Sequence, residues 1–141
     1  MLVGCYLRSG RRTALAGWFS CDCSIGDDPK PQVWVAGRHV AVNQYSCSPI
    51  DPMSPCVGSL KVVDLRSGRV RYRADTGSLG GLVIKRNGSV AYVLGQRLIR
   101  IDSTGSTVLD EGPGMDGDSL AANPTRLYWM RDGVPKTASF H

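Results

Sequence analysis

Three arginines recur at every second position between residues 69 and 73, where Arg69, Arg71 and Arg73 alternate with Val70 and Tyr72. Side chains two residues apart in a β-strand point to the same face. The spacing therefore predicts three guanidinium groups on one face, and such groups bind phosphate or carboxylate through paired hydrogen bonds. We interpret them as a binding site for an anionic ligand, with the solvent-facing side of an outer strand as the alternative.

Two tryptophans are the other candidate binding residues. Trp34 and Trp129 each lie in a run rich in β-forming residues. Large aromatic rings contribute much of the contact area at binding surfaces. An aromatic or arginine-lined surface would favour binding over catalysis.

The five cysteines are an odd number, so at least one is unpaired if disulfides form within the chain. Cys47 and Cys56 flank a segment that contains three prolines, and we predict a disulfide between them. Cys21 and Cys23 lie near Asp27 and Asp28 but lack the C-x₂₋₄-C or histidine pairs of a zinc site. The sequence therefore predicts neither a metal nor another cofactor.

The ionisable residues suited to catalysis follow no familiar catalytic pattern. The chain contains no G-x-S-x-G motif, so the sequence marks no serine nucleophile for which His39 could act as the base. Four carboxylates lie in or beside a glycine-rich connection, at Asp110, Glu111, Asp116 and Asp118. We predict no catalytic residue among them.

The elements that position these residues are short strands separated by turn signals. Residues 82–111 contain four β-rich runs, and Asn87-Gly88 between the first two predicts a type I′ hairpin turn, which needs positive φ at both residues. Gly95-Gln96 and residues 103–106 separate the later runs. The segment therefore predicts a meander of four antiparallel strands.

The chain also contains a faint internal repeat. Residues 7–11 recur letter for letter at residues 65–69, as Leu-Arg-Ser-Gly-Arg. With two long insertions removed, the underlying period is about 40 residues, which is typical of propeller blades. The predicted units of a single domain are a hairpin at 2–16, blades at 33–75 and 82–111, and a partial blade at 119–140.

Residues 127–133, Leu-Tyr-Trp-Met-Arg-Asp-Gly, resemble the second strand and turn of YWTD-type propeller blades. The whole chain also resembles propeller-like proteins of high-GC bacteria. Met130 and Arg131 replace the threonine and aspartate of the strict motif. The fold predicted from the strands, and implied by the resemblance, is all-β, with antiparallel four-stranded meanders arranged as a partial β-propeller.

The strongest support for the predicted function is negative, namely the absence of any catalytic constellation in the sequence. A net charge of +5 permits weak attraction to anionic partners, and no run is long enough for a transmembrane helix. We predict a non-catalytic binding or protein-interaction module outside the reducing cytoplasm, with a cytoplasmic location as the alternative. Its partner would be a protein or an anionic ligand, and a second copy or missing blades would complete the ring. The alternative function is a hydrolase or lyase that uses carboxylates or His39 at the central opening of the propeller.

Overall fold

The computed structural model describes residues 2–6, 10–16, 31–46 and 57–141, and these ranges hold thirteen β-strands. The sheets are antiparallel, and two of them have four strands, which confirms the predicted all-β fold of four-stranded meanders. None of the described segments forms a helix with the length and apolar character needed to cross a lipid bilayer. The chain divides into two compact units, Met1–Gly77 and Ser78–His141.

The first unit holds a two-stranded hairpin and a four-stranded sheet. The hairpin pairs β1 (Leu2–Tyr6) with β2 (Arg11–Ala16). In the sheet, each strand pairs with the strands that precede and follow it in the chain. Its strands are β3 (Gln32–Ala36), β4 (His39–Ser46), β5 (Val57–Asp64) and β6 (Arg69–Thr76).

One face of this four-stranded sheet packs on the hairpin through buried aliphatic side chains. Val40 and Val42 lie two residues apart on β4, and Val63 of β5 pairs with Val40, so all three share one face. Burying one such side chain stabilises a fold by about 1.5–3 kcal/mol. The cluster also contains Leu15 and Leu65, with Leu2 partly buried against it.

The second unit holds a four-stranded sheet followed by a three-stranded sheet, both with consecutive strands paired. The four-stranded sheet begins at Leu79. The predicted start is three residues later, because glycine has a low β-propensity and Gly80 and Gly81 therefore give no indication of a strand. The strands are β7 (Leu79–Ile84), β8 (Val90–Leu94), β9 (Arg97–Asp102), β10 (Gly105–Glu111), β11 (Met115–Ala122), β12 (Arg126–Arg131) and β13 (Val134–Ser139).

The two sheets of the second unit pack face to face. Their shared core contains Ala91, Val93, Leu98, Leu127, Trp129 and Phe140. At one edge of this contact β11 lies beside β7. The backbones of Gly81 and Gly117 approach so closely there that a Cβ atom on either would overlap a carbonyl oxygen of the other strand. Glycine is therefore required where these strands meet.

The loop between β7 and β8 differs from the turn that its sequence predicts. A type I′ turn requires positive φ at both Asn87 and Gly88, but of the two only Gly88 has it, at 91°. The amide of Gly88 donates to the carbonyl of Lys85 (2.9 Å), and the amide of Lys85 donates to the carbonyl of Ser89 (2.8 Å). These bonds define a three-residue loop, in which a type I turn precedes one left-handed glycine.

A two-residue turn with the predicted geometry occurs later, between β12 and β13. Asp132 and Gly133 have φ angles of 52° and 73°, and they join the paired residues Arg131 and Val134. Asp-Gly suits this turn because both residue types tolerate a left-handed backbone.

Two other hairpin glycines have positive φ, 72° at Gly68 and 114° at Gly105. We expect Gly68→Val and Gly105→Val each to lower the free energy of unfolding by about 1–3 kcal/mol, because a β-branched residue is strained in this conformation. Urea titration followed by circular dichroism measures the change. Gly77→Val is the control, since Gly77 lacks a positive φ and has open space around it. Equal stability of all three variants would contradict the expected strain.

Candidate binding surface

Strand β12 divides its side chains between the core of the second unit and the surface. Leu127 is fully buried and Trp129 is 4% exposed, whereas Tyr128 and Met130 are 40% and 38% exposed. The alternation follows from the two-residue period of a strand whose sheet packs on one side. The structure thus places Trp129, a predicted binding residue, in the core, and it is Tyr128 and Met130 that face outwards.

A carboxylate on β10 holds the indole of Trp129. The Nε1 atom of Trp129 donates a hydrogen bond to Oδ2 of Asp110 at 2.8 Å. The same carboxylate forms ion pairs with Arg131 through Oδ1 and with Lys136 through Oδ2, the latter at 3.0 Å. Because only 9% of the Asp110 side chain is exposed, these bonds join β10 firmly to β12 and β13.

The pKa of Asp110 lies below its usual range. Burial alone would raise the pKa, but hydrogen bonds from Trp129 and Lys136, together with the charges of Arg131 and Lys136, more than offset that effect. Asp110 is therefore ionised at neutral pH and acts as a structural acceptor.

The outward side of β12 continues onto the strands on both sides of it. Ala121 of β11 lies opposite Tyr128, Pro135 of β13 lies opposite Met130, and both are exposed. Arg126 precedes Tyr128 by two residues and is also exposed. We call these five residues the β12 patch.

Two polar contacts hold two of the side chains of the β12 patch, those of Tyr128 and Arg126. The amide Nδ2 of Asn123 donates to the hydroxyl of Tyr128 at 2.9 Å. Nη1 of Arg126 donates to Oγ1 of Thr137 at 3.3 Å. The tyrosine ring and the guanidinium group are therefore oriented before any partner binds.

The three arginines of β6 do not share one face, because a β-bulge interrupts their strand. Val70 pairs with Val63 and Tyr72 pairs with Val62, which leaves Arg71 as the extra residue. Neighbouring residues of β5 point to opposite faces, so the bulge reverses the alternation along β6.

Arg69 consequently lies opposite Asp64 on one face of the sheet, while Arg73 lies opposite Lys61 on the other. The prediction that Arg69, Arg71 and Arg73 share one face is wrong. The extra residue at the bulge shifts the side chains that follow it in β6 to the opposite face of the sheet. All three arginines are exposed. The other predicted binding residue, Trp34, is half-buried on β3.

His39 is enclosed at the start of β4. Its side chain is 1% exposed, and its Nε2 lies 4.0 Å from Oδ2 of Asp64. Nε of Arg38 lies 3.4 Å from the same oxygen, and the amide of Arg66 donates to Oδ1 at 2.9 Å. Burial raises the pKa of Asp64, but this amide bond and the charges of Arg38 and His39 bring it below its usual range.

The remaining predicted site residues are dispersed. Among the described ranges, no group of three or more histidine, cysteine, aspartate or glutamate residues is placed to hold a metal ion. Asp116 and Asp118 are exposed on β11. The predicted disulfide partners Cys47 and Cys56 lie outside the described residues, and Cys5 is an exposed free thiol.

The sequence-based prediction did not include Tyr128 and Met130 among the binding residues, because residues 127–130 form one continuous apolar run that does not mark which side faces outwards. Leu127 and Trp129 alternate with them at the strand period, and the larger apolar pair occupies the core. Comparison of the chain with models of protein families, with curated proteins and with solved structures found no match. A function of this chain is therefore inferred from its geometry.

Proposed function

We propose that this chain is a non-catalytic protein-binding module of the propeller type, and that its partner binds the β12 patch. The observation that carries the proposal is the division of β12, which buries Leu127 and Trp129 and exposes Tyr128 and Met130 on the opposite side. Inner blades of a propeller bury both faces against their neighbours. A sheet with one apolar side exposed is suited to contact another protein.

The residue types of the β12 patch support a protein partner. Tyrosine, methionine and arginine are enriched at the centres of protein interfaces, and tyrosine and arginine are frequent among the residues that dominate affinity. The bonds from Asn123 to Tyr128 and from Arg126 to Thr137 order two of these side chains in advance. Binding then loses less side-chain entropy.

The flat side of β12 is better suited to binding than the free edge of β13. Because a two-residue turn joins the hydrogen-bonded pair Arg131 and Val134, the next residue, Pro135, turns its nitrogen to the free edge. That nitrogen carries no proton to donate. The carbonyl of Ser139, also on this edge, accepts a bond from Arg100 at 2.9 Å. Both features hinder the addition of a strand.

The enzymatic alternative receives no support from the three carboxylates whose pKa values are shifted or from His39. A general acid must keep its proton at the working pH, which requires a raised pKa. The pKa values of Asp64, Asp102 and Asp110 are instead lowered, because bonds and nearby cations outweigh burial. His39, at 1% exposure, has no side open to a substrate.

The test compares the wild-type chain with the double variant Tyr128→Ser, Met130→Ser. We expect the variant to bind its partner at least about 30-fold more weakly, because it loses two central contact residues. Its thermal midpoint should change little, since both side chains are exposed. Partners are captured from the native host and their affinities are measured by calorimetry.

Val134→Ser is the matched control, because Val134 is 56% exposed but pairs with Arg131, on the core-facing side of the sheet. Equal affinity of the double variant and the wild type would contradict the proposal. Sedimentation of the purified chain identifies a second copy as the partner if the wild type self-associates and the double variant does not.

A further inference from the structure

Two cations lie directly opposite each other on β5 and β6 of the first unit. Lys61 pairs with Arg73 across the strands, so both side chains leave the same face of the sheet. Directly opposed residues in an antiparallel pair have Cβ atoms about 4.5–5.5 Å apart, and like charges at this separation destabilise the pair. The arrangement costs stability unless a negative charge lies between them.

The described residues supply no such charge through an ion pair. None of the ion pairs in the described part of the chain includes Lys61 or Arg73. The nearest carboxylate along the register is Asp75, which lies opposite Ser59, one same-face pair further along, and is exposed. Lys61 is only half-exposed, and first burial and then the charge of Arg73 lower its pKa.

We propose that Lys61 and Arg73 form a binding site for a phosphate group. The guanidinium of Arg73 can donate two parallel hydrogen bonds to a phosphate, and the ammonium of Lys61 supplies a second positive charge beside it. A dianionic phosphate neutralises the charges of both side chains. It also accepts hydrogen bonds from the half-buried ammonium of Lys61, in place of the water that burial has removed. Arg71, the extra residue of the bulge, adds a third cation beside the site.

The bulge distinguishes this site from the run of arginines in the sequence. Without it, Arg69 would share the face of Arg73. With it, Arg69 lies opposite Asp64 on the other face. The site therefore includes a lysine from the neighbouring strand and excludes one of the three arginines.

The experiment measures the thermal midpoint of the full chain in inorganic phosphate and in sodium chloride of equal ionic strength. We expect phosphate to raise the midpoint by about 3 °C more than chloride, with saturation as the phosphate concentration increases. Lys61→Met and Arg73→Gln should each abolish this difference. Arg69→Gln removes the same charge from the same strand and should retain it.

Other outcomes overturn the proposal. Equal shifts in phosphate and chloride would mean that salt merely screens the repulsion between the two cations. If the rise of the thermal midpoint in phosphate persists in both Lys61→Met and Arg73→Gln, then phosphate does not bind at these two residues. If Arg69→Gln also abolishes the rise, then the effect is not specific to the face of Lys61 and Arg73.

Vesicles distinguish a lipid phosphate from a soluble one. Sedimentation with phosphatidylcholine vesicles, with and without phosphatidic acid, measures lipid binding. Binding that requires phosphatidic acid, Lys61 and Arg73 assigns the site to a headgroup. A phosphate shift without vesicle binding assigns it to a soluble phosphate compound, and vesicle binding that persists in both variants contradicts the site.

Discussion

Alanine in place of Gly81 or Gly117 is expected to destabilise the second unit severely. A Cβ atom at residue 81 would overlap the carbonyl oxygen of Gly117, and a Cβ atom at residue 117 would overlap the carbonyl oxygen of Gly80. These obstacles are backbone atoms, so no change of rotamer removes them. The strands β7 and β11 would have to separate, which would also open the core behind them.

We expect each substitution to lower the free energy of unfolding by about 3 kcal/mol. Urea titration followed by circular dichroism measures the loss. Gly77→Ala is the control, because a Cβ atom at Gly77 would meet nothing within 4 Å. If Gly81→Ala and Gly117→Ala unfold at the same urea concentration as the control, then the two strands do not make the close approach described above.

Removal of the Asp110 carboxylate is expected to have an effect of similar size. Asp110→Ala leaves the indole of Trp129 without its acceptor, and it leaves the cations of Arg131 and Lys136 without their shared anion. The loss exceeds that of a surface contact because the buried indole of Trp129 stays without a partner, whereas Arg131 and Lys136, at 28% and 32% side-chain exposure, remain partly in contact with water. We expect a loss of about 3 kcal/mol at neutral pH, measured by urea titration.

The same substitution should change the response to acid. The folded pKa of Asp110 is below the ordinary value of 3.8. Its stabilising effect is therefore fully present above pH 3.8 and is lost as the pH falls through the folded pKa. Asp110→Ala should reduce the fall in stability over this range. A wild-type acid response in Asp110→Ala would contradict the assigned role.

Local sequence patterns predicted most of the strands because the relevant signals lie within a few residues of each other. Alternating polar and apolar residues mark most of β9, a continuous apolar run marks β12, and glycines such as Gly68 and Gly105 mark turns where the chain needs positive φ. Asn87-Gly88 was a misleading signal, because the loop gained one residue and required only Gly88 to be left-handed.

The candidate sites were harder to predict because they depend on register. The bulge at Arg71 adds one residue that no composition rule marks, yet it moves Arg69 and Arg73 to opposite faces. The partner of Arg73, Lys61, is identified only when β5 and β6 are aligned. The sequence likewise could not show which side of β12 would meet the core, since that choice depends on the contact with the preceding sheet.

The strand order has a consequence for how the chain folds during its synthesis. Each strand pair in the described ranges joins strands that are consecutive in the chain, so each pairing closes a short loop and forms with little loss of chain entropy. A ribosome synthesises about 5–20 residues per second. A hairpin forms much faster than the ribosome adds one residue. The described strand pairs of Met1–Gly77 can therefore be complete before all the strands of Ser78–His141 have emerged from the ribosome. A nascent chain halted once residues 1–77 have emerged from the ribosome is expected to resist proteolysis while still attached to it.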